Sequence, residues 1–140
     1  MRPVRLLVAL ATVLLAGCAS SPAATPLPLT LDGTSWRATS VADNVPNLDH
    51  QVTLRFTDGR IEGSGGCNSY GGGGRLEDGR LVVDEIQMTL MACADPEPND
   101  MEGTFLRILG ERPMVITDGS RLLLRGASGE IVLEPGPPVR

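Results

Sequence analysis

The 140-residue sequence predicts a mainly β domain with one helix: a small curved antiparallel sheet or partly open β-barrel, capped by an α-helix. Three observations predict it. Asp-Gly, the strongest short signal for a tight hairpin, recurs between apolar runs at Asp58-Gly59, Asp78-Gly79 and Asp118-Gly119. The first of these runs alternates, with Val52, Leu54 and Phe56 on one face and Thr53, Arg55 and Thr57 on the other, as a half-buried strand requires. A single segment, after Asp95, switches to helical spacing.

In chain order, residues 1–17 read as a lipoprotein signal peptide. "MRPVR" is a positive n-region, and Leu6 to Gly17 is an apolar run that spans only about 18 Å as a helix, too short for a bilayer. The run ends in Leu15-Ala16-Gly17-Cys18, which resembles the bacterial lipobox. That resemblance implies that the Cys18 thiol takes a diacylglyceryl group, that cleavage frees its amino group, and that a further acyl chain such as palmitate follows. Two or more chains give stable anchoring where one does not. The alternative is an ordinary secretory signal whose cleavage region contains a cysteine. Residues 18–30 ("CASSPAATPLPLT") form the lipidated cysteine and a flexible tether, rich in small residues and proline. Ala19 and Ser20, with no aspartate after Cys18, resemble enterobacterial sorting signals for the outer membrane, and that resemblance implies the outer membrane over the inner. The expected location is therefore the bacterial cell envelope, lipid-anchored and facing the periplasm.

The folded unit is expected over residues 31–134, with a C-terminal tail at 135–140. "GTSWRATSV" reads as the first strand, with Trp36 as a core anchor or, alternatively, a ligand-stacking residue. The Asp-Gly hairpins follow, and "GASG" (Gly126 to Gly129) supplies a fourth turn. The helix carries Met101, Phe105, Ile108 and Leu109 on one face, with Asp95 as N-cap, Pro96 at N1, Glu97 and Asp100 near the positive end, and Gly110 as the stop. The expected order is four or five short strands, one crossing strand, the helix, then three strands.

The mature chain keeps ten of the twelve arginines and all seventeen acidic residues, a balance of −7. An acidic chain disfavours nucleic acid and anionic headgroups as partners.

The chemistry-bearing stretch is "IEGSGGCNSYGGGGR" (Ile61 to Arg75). As a phosphate cradle it fails. Gly63-x-Gly65-x-x-Asn68 breaks the dinucleotide register, no helix follows, and the chain has no lysine for a P-loop. As a thiol site, Cys67 would need His50, the sole histidine, as its base, with Asn68 orienting the ring; a solvated loop histidine is the plainer reading. No metal site or cofactor is expected, because two cysteines and one histidine lack ligand spacing. The structural reading pairs Cys67 with Cys93, the two thiols left in an oxidising compartment once Cys18 carries lipid. The glycines would then allow bending and close backbone approach, with Asn68 capping the bend in an αL conformation.

"LDGTSWRATSV", "VTLRFTDGRIEGSGGCNSYGG", "MTLMACADP" and "MEGTFLRIL" together resemble the META domain family, the HslJ-like heat-shock and envelope lipoproteins. The most specific pieces are Gly66-Cys67-Asn68-x-Tyr70 and Thr89-x-Met91-Ala92-Cys93. The resemblance implies a small antiparallel barrel-like fold with a helix, identifies Cys67 and Cys93 as the family cysteines, and brings no settled catalytic residues. Gly71 to Gly74 depart from the family, which usually has a second bulky residue there; this leaves the order of that hairpin open.

The function expected is a non-enzymatic, envelope-anchored interaction or stress-related module, held to the membrane through acyl chains on Cys18 and meeting a protein partner in the envelope. Two alternatives remain. One is a carrier of a small apolar ligand or acyl chain, with Met88, Leu90, Met91, Met101 and Phe105 lining a cavity. The other is an acidic inhibitor of a basic envelope hydrolase, steered by charge.

Overall fold

The computed structural model describes residues 30–91 and 93–137. The expected signal peptide, Cys18, all but the last residue of the tether, Ala92 and residues 138–140 lie outside the described residues.

Eight strands and one helix follow in the order β1 (Ser35–Val41), β2 (Thr53–Thr57), β3 (Arg60–Ser64), β4 (Ser69–Glu77), β5 (Arg80–Met88), α1 (Pro96–Gly110), β6 (Met114–Asp118), β7 (Arg121–Gly126) and β8 (Gly129–Pro135). All neighbours are antiparallel, and the sheet closes into a barrel in sequence order. The expectation of a partly open barrel is thus corrected. The last strand returns to the first, pairing Trp36 with Pro135 through Val41 with Ile131, so neither forms a free edge. The thinnest seam lies between β5 and β6, where Arg80↔Met114 is the one register pair. It is flanked by Leu81 N–H to Pro113 O at 3.0 Å and Val115 N–H to Gly79 O at 2.8 Å.

Five strands precede the helix and three follow it, which agrees with the expected order when the strand leading to the helix is counted as the crossing one. The Asp-Gly hairpins form as two-residue loops at 58–59 and 78–79, with positive φ at Asp58 (50°), Gly59 (71°), Asp78 (48°) and Gly79 (74°), the backbone that matches strand twist. The third slips by one residue. Asp118 pairs with Arg121, and Gly119-Ser120 makes the turn. The tail begins later than expected, because Pro135 still pairs with β1 and Gly136 N–H reaches Ser35 O at 2.7 Å.

The barrel is filled. Val41, Leu54, Ile61, Leu81, Leu122, Leu124, Ile131 and Leu133 have no exposed surface, nor do Phe105, Ile108 and Leu109 of α1. The helix crosses one end, from the β3–β4 turn, where Gly66 faces Pro98, to the β7–β8 turn, where Ile108 faces Gly126 and Gly129. Asp95 takes the extended N-cap conformation ahead of Pro96 but makes no side-chain cap bond. At the far end Glu111 accepts from the Ser128 backbone N–H at 2.9 Å and from the Ser128 hydroxyl, and these bonds hold its carboxyl below the usual range. Trp36 is half-buried against the core and donates its indole N–H to Thr34 Oγ1 at 2.7 Å.

Gly71 to Gly74 lie inside β4, paired on both sides. A Cβ on Gly74 would sit 2.5 Å from Ile61 Cγ2, and one on Gly63 only 2.2 Å from the carbonyl oxygen of Thr53. Backbone cannot move aside as a side chain can. Gly63→Ala is therefore expected to cost about 1–3 kcal/mol, lowering the melting temperature by roughly 5–15 °C. Gly103→Ala, on an exposed helix position with nothing within 4 Å of the new methyl, is expected to raise it. Thermal denaturation of the two variants checks both signs.

Candidate functional site

The β3–β4 turn and the β5–α1 connection meet at the helix-covered end of the barrel. Gly66 adopts φ 113°, a conformation closed to most side chains, and this turns the chain so that Cys67 and Asn68 face the connection. Asn68 itself is not among the residues with positive φ, so its expected αL role is corrected: the glycine before the cysteine supplies the bend.

Asn68 is buried, at 5% exposure, and every hydrogen-bonding position of its amide is in use. Its Oδ1 accepts from Met91 N–H at 2.6 Å and from Thr89 Oγ1 at 2.9 Å. Because a backbone N–H can only donate, the first bond fixes which amide atom is the oxygen. Its Nδ2 donates to Glu102 Oε1 at 2.8 Å and to Met91 O at 3.1 Å. Its backbone N–H donates to Glu102 Oε2 at 2.6 Å. Two acceptances and two donations exhaust a carboxamide, leaving nothing for a substrate.

Glu102 is the residue that sequence reasoning missed. It is buried at 5% exposure, yet it carries a carboxylate. A signal existed: Glu102, Phe105 and Leu109 share one helix face at i, i+3 and i+7, so the acid lies on the apolar stripe. Room for it comes from Gly65, where a Cβ would lie 2.6 Å from Glu102 Cγ.

The disulfide links Cys67 to Cys93, with Cα atoms 5.8 Å apart. Of the other motif residues, Thr89 pairs back onto β4 through its N–H to Ser69 O at 3.0 Å and Ser69 N–H to Thr89 Oγ1 at 3.2 Å. Tyr70 donates its hydroxyl to Thr53 O at 2.8 Å, and its ring meets Phe105 edge-on at 5.4 Å. Burial, aided by Glu62, pushes the Tyr70 phenol well above its ordinary range. Gly66, Cys67, Asn68, Tyr70, Thr89, Met91 and Cys93 thus form one assembly; Ala92 lies outside the described residues.

His50 does approach this turn, with Nδ1 3.0 Å from Gly66 O, but the Cys67 sulfur it would activate is bonded to Cys93. The thiol-and-base alternative, already the less plain reading, therefore has no free thiol at Cys67 to act on. The five residues expected to line a carrier cavity also separate. Met88, Leu90 and Met91 point outward, at 38%, 92% and 63% exposure, Met101 is half-buried, and Phe105 is core. The bonds from Asn68 to Met91 and the disulfide therefore hold Leu90 and Met91 outward at the surface.

Comparisons with known proteins agree with this layout. The META domain family model matches residues 29–134. Heat shock protein HslJ of Escherichia coli (strain K12) is 31% identical over 134 residues, covering 91% of each chain. Two solved NMR structures share the fold at 27% identity. One has a TM-score of 0.67 and covers 74% of this chain and 90% of its own. The other, from Burkholderia xenovorans, has a TM-score of 0.63 and covers 87% and 99%.

Asn68→Ala strips four side-chain bonds and leaves the buried Glu102 with a single donor, so a loss of about 2–4 kcal/mol is expected by denaturant titration. Reducing the disulfide releases a loop with a sequence separation of 26 and is expected to cost roughly 3–4 kcal/mol. Tyr70 adds a pH signature. Its phenol ionises in the unfolded chain near pH 10 but only higher in the fold, so stability falls as pH rises above about 10. Tyr70→Phe is expected to flatten that decline, as pH-dependent melting would show.

Proposed function

The chain belongs to the META domain family, and from that premise we propose that it is a non-enzymatic lipoprotein of the bacterial envelope, working as an interaction or stress-related module. The observation that carries the reading is the state of the motif's chemistry: the barrel interior is packed, the Cys67 and Cys93 sulfurs are bonded to each other, and Asn68 is saturated. What such a domain offers a partner is its surface. The name of the relative, heat shock protein HslJ, supports a link to stress. The Leu15-Ala16-Gly17-Cys18 pattern supports anchoring through acyl chains on Cys18, and the absence of aspartate after it supports the outer membrane, facing the periplasm. Of the alternatives, the acyl-chain carrier has less support, because the residues expected to line its cavity separate between surface and core, while the acidic inhibitor of a basic hydrolase is one form that surface recognition can take.

Two measurements test the proposal. Intact mass spectrometry of the protein purified from membranes is expected to show a chain beginning at Cys18 with acyl mass on that residue. An unacylated chain cleaved elsewhere overturns the anchoring. Photo-cross-linking in intact cells, followed by detergent extraction, is expected to capture an envelope protein. Recovery of the domain alone overturns the interaction role.

A further inference from the structure

We propose that Met91 is a reversible oxidation site, where the domain takes up a peroxide-class oxidant as methionine sulfoxide and is restored by a thiol-dependent sulfoxide reductase. The chemistry needs only the domain; its setting at the envelope rests on the reading above. A thioether is oxidised where oxidant can reach it, and the four described methionines differ in that respect. Met91 is 63% exposed, Met114 44% and Met88 38%, whereas Met101 is half-buried against the core. The cysteines on either side of this connection offer no competing thiol, because Cys67 and Cys93 are bonded to each other. Met91 is thus the most exposed residue with a reduced sulfur among the described residues.

Exposure makes the site reactive; the way the chain is held makes it reversible. The Met91 N–H donates to Asn68 Oδ1 at 2.6 Å, and the Met91 carbonyl accepts from Asn68 Nδ2 at 3.1 Å. The disulfide fixes the chain two residues later. None of these bonds involves the thioether, so a polar sulfoxide on the outward side chain leaves all of them in place. At Met101 the same change would put a polar group against the core and weaken its packing. Leu90 and Met91 also lie outside every strand and helix, so a reductase can close over the side chain without unfolding an element.

Both directions balance. The thioether lone pair attacks one peroxide oxygen, an S–O bond forms, and the O–O bond breaks. The attacked oxygen passes its proton to the departing hydroxide, which leaves as water; sulfur is oxidised by two electrons and the peroxide reduced by two. On return, two reductase thiols supply two electrons and two protons. The S–O bond breaks, the oxygen leaves as water, and the thiols end as a disulfide.

The test exposes the purified full chain, disulfide intact and in a neutral detergent, to hydrogen peroxide and follows each methionine by peptide mass spectrometry. Met91 is expected to gain one oxygen first, about fivefold or more faster than Met101. Its amide is expected to keep its hydrogen-exchange protection, and the melting temperature to stay within about 2 °C. A methionine sulfoxide reductase with dithiothreitol is expected to restore the original mass in the folded protein. Met91→Leu is expected to melt like the wild type and to take up less oxygen. Oxidation of Met101 or Met114 ahead of Met91, or loss of amide protection as the Met91 sulfoxide forms, would overturn the assignment. So would repair that proceeds only after unfolding in urea. Failure of the underlying reading shows differently: an unacylated chain that still cycles at Met91 contradicts the envelope setting and leaves the site intact.

Discussion

The structure depends on a buried carboxamide–carboxylate contact. Asn68, on the turn after β3, and Glu102, on the second turn of the helix, are both nearly excluded from water and satisfy each other through two hydrogen bonds. An isolated buried carboxylate costs several kcal/mol, so Glu102 is tolerable only where donors are already placed. The donors come from a turn whose shape needs Gly66 and whose proximity to Glu102 needs Gly65. Two glycines, one amide and one acid therefore constrain how the helix sits on the barrel end.

From this contact the rest follows outward. Asn68 also holds the backbone of Met91 from both sides, N–H and carbonyl, and the disulfide fixes the chain two residues later. The connection into α1 is thus pinned at closely spaced points, although Leu90 and Met91 face solvent. A segment that exposes leucine and methionine would ordinarily collapse or fray. Here its backbone is fixed by partners that are themselves buried, and this turns an apolar loop into a shaped surface.

The local parts of this design were legible in the sequence. The Asp-Gly turns, the alternation of Val52, Leu54 and Phe56, and the spacing of Phe105, Ile108 and Leu109 each express a short-range rule, and each appears in the fold. The pairing of Cys67 with Cys93 was legible because few sulfurs were available. What escaped was long-range. Closure depends on β8 finding β1 across almost the whole domain, and nothing in either strand alone announces its partner. Glu102 lies 34 residues from Asn68, and a glutamate in an amphipathic helix reads as solvent-facing unless the stripe it interrupts is counted. The glycine run reads as loose until its neighbours are known; in place, Gly74 is where Ile61 fits.

Amide hydrogen exchange at Met91 tests this account most directly. Its side chain is exposed, but its N–H is donated to the buried Oδ1 of Asn68. Exchange at that position is predicted to require global unfolding, giving protection comparable to the core amide of Leu81. Exchange at the rate of an unstructured loop, in protein whose disulfide is intact, would show that the polar contact does not hold the connection in place.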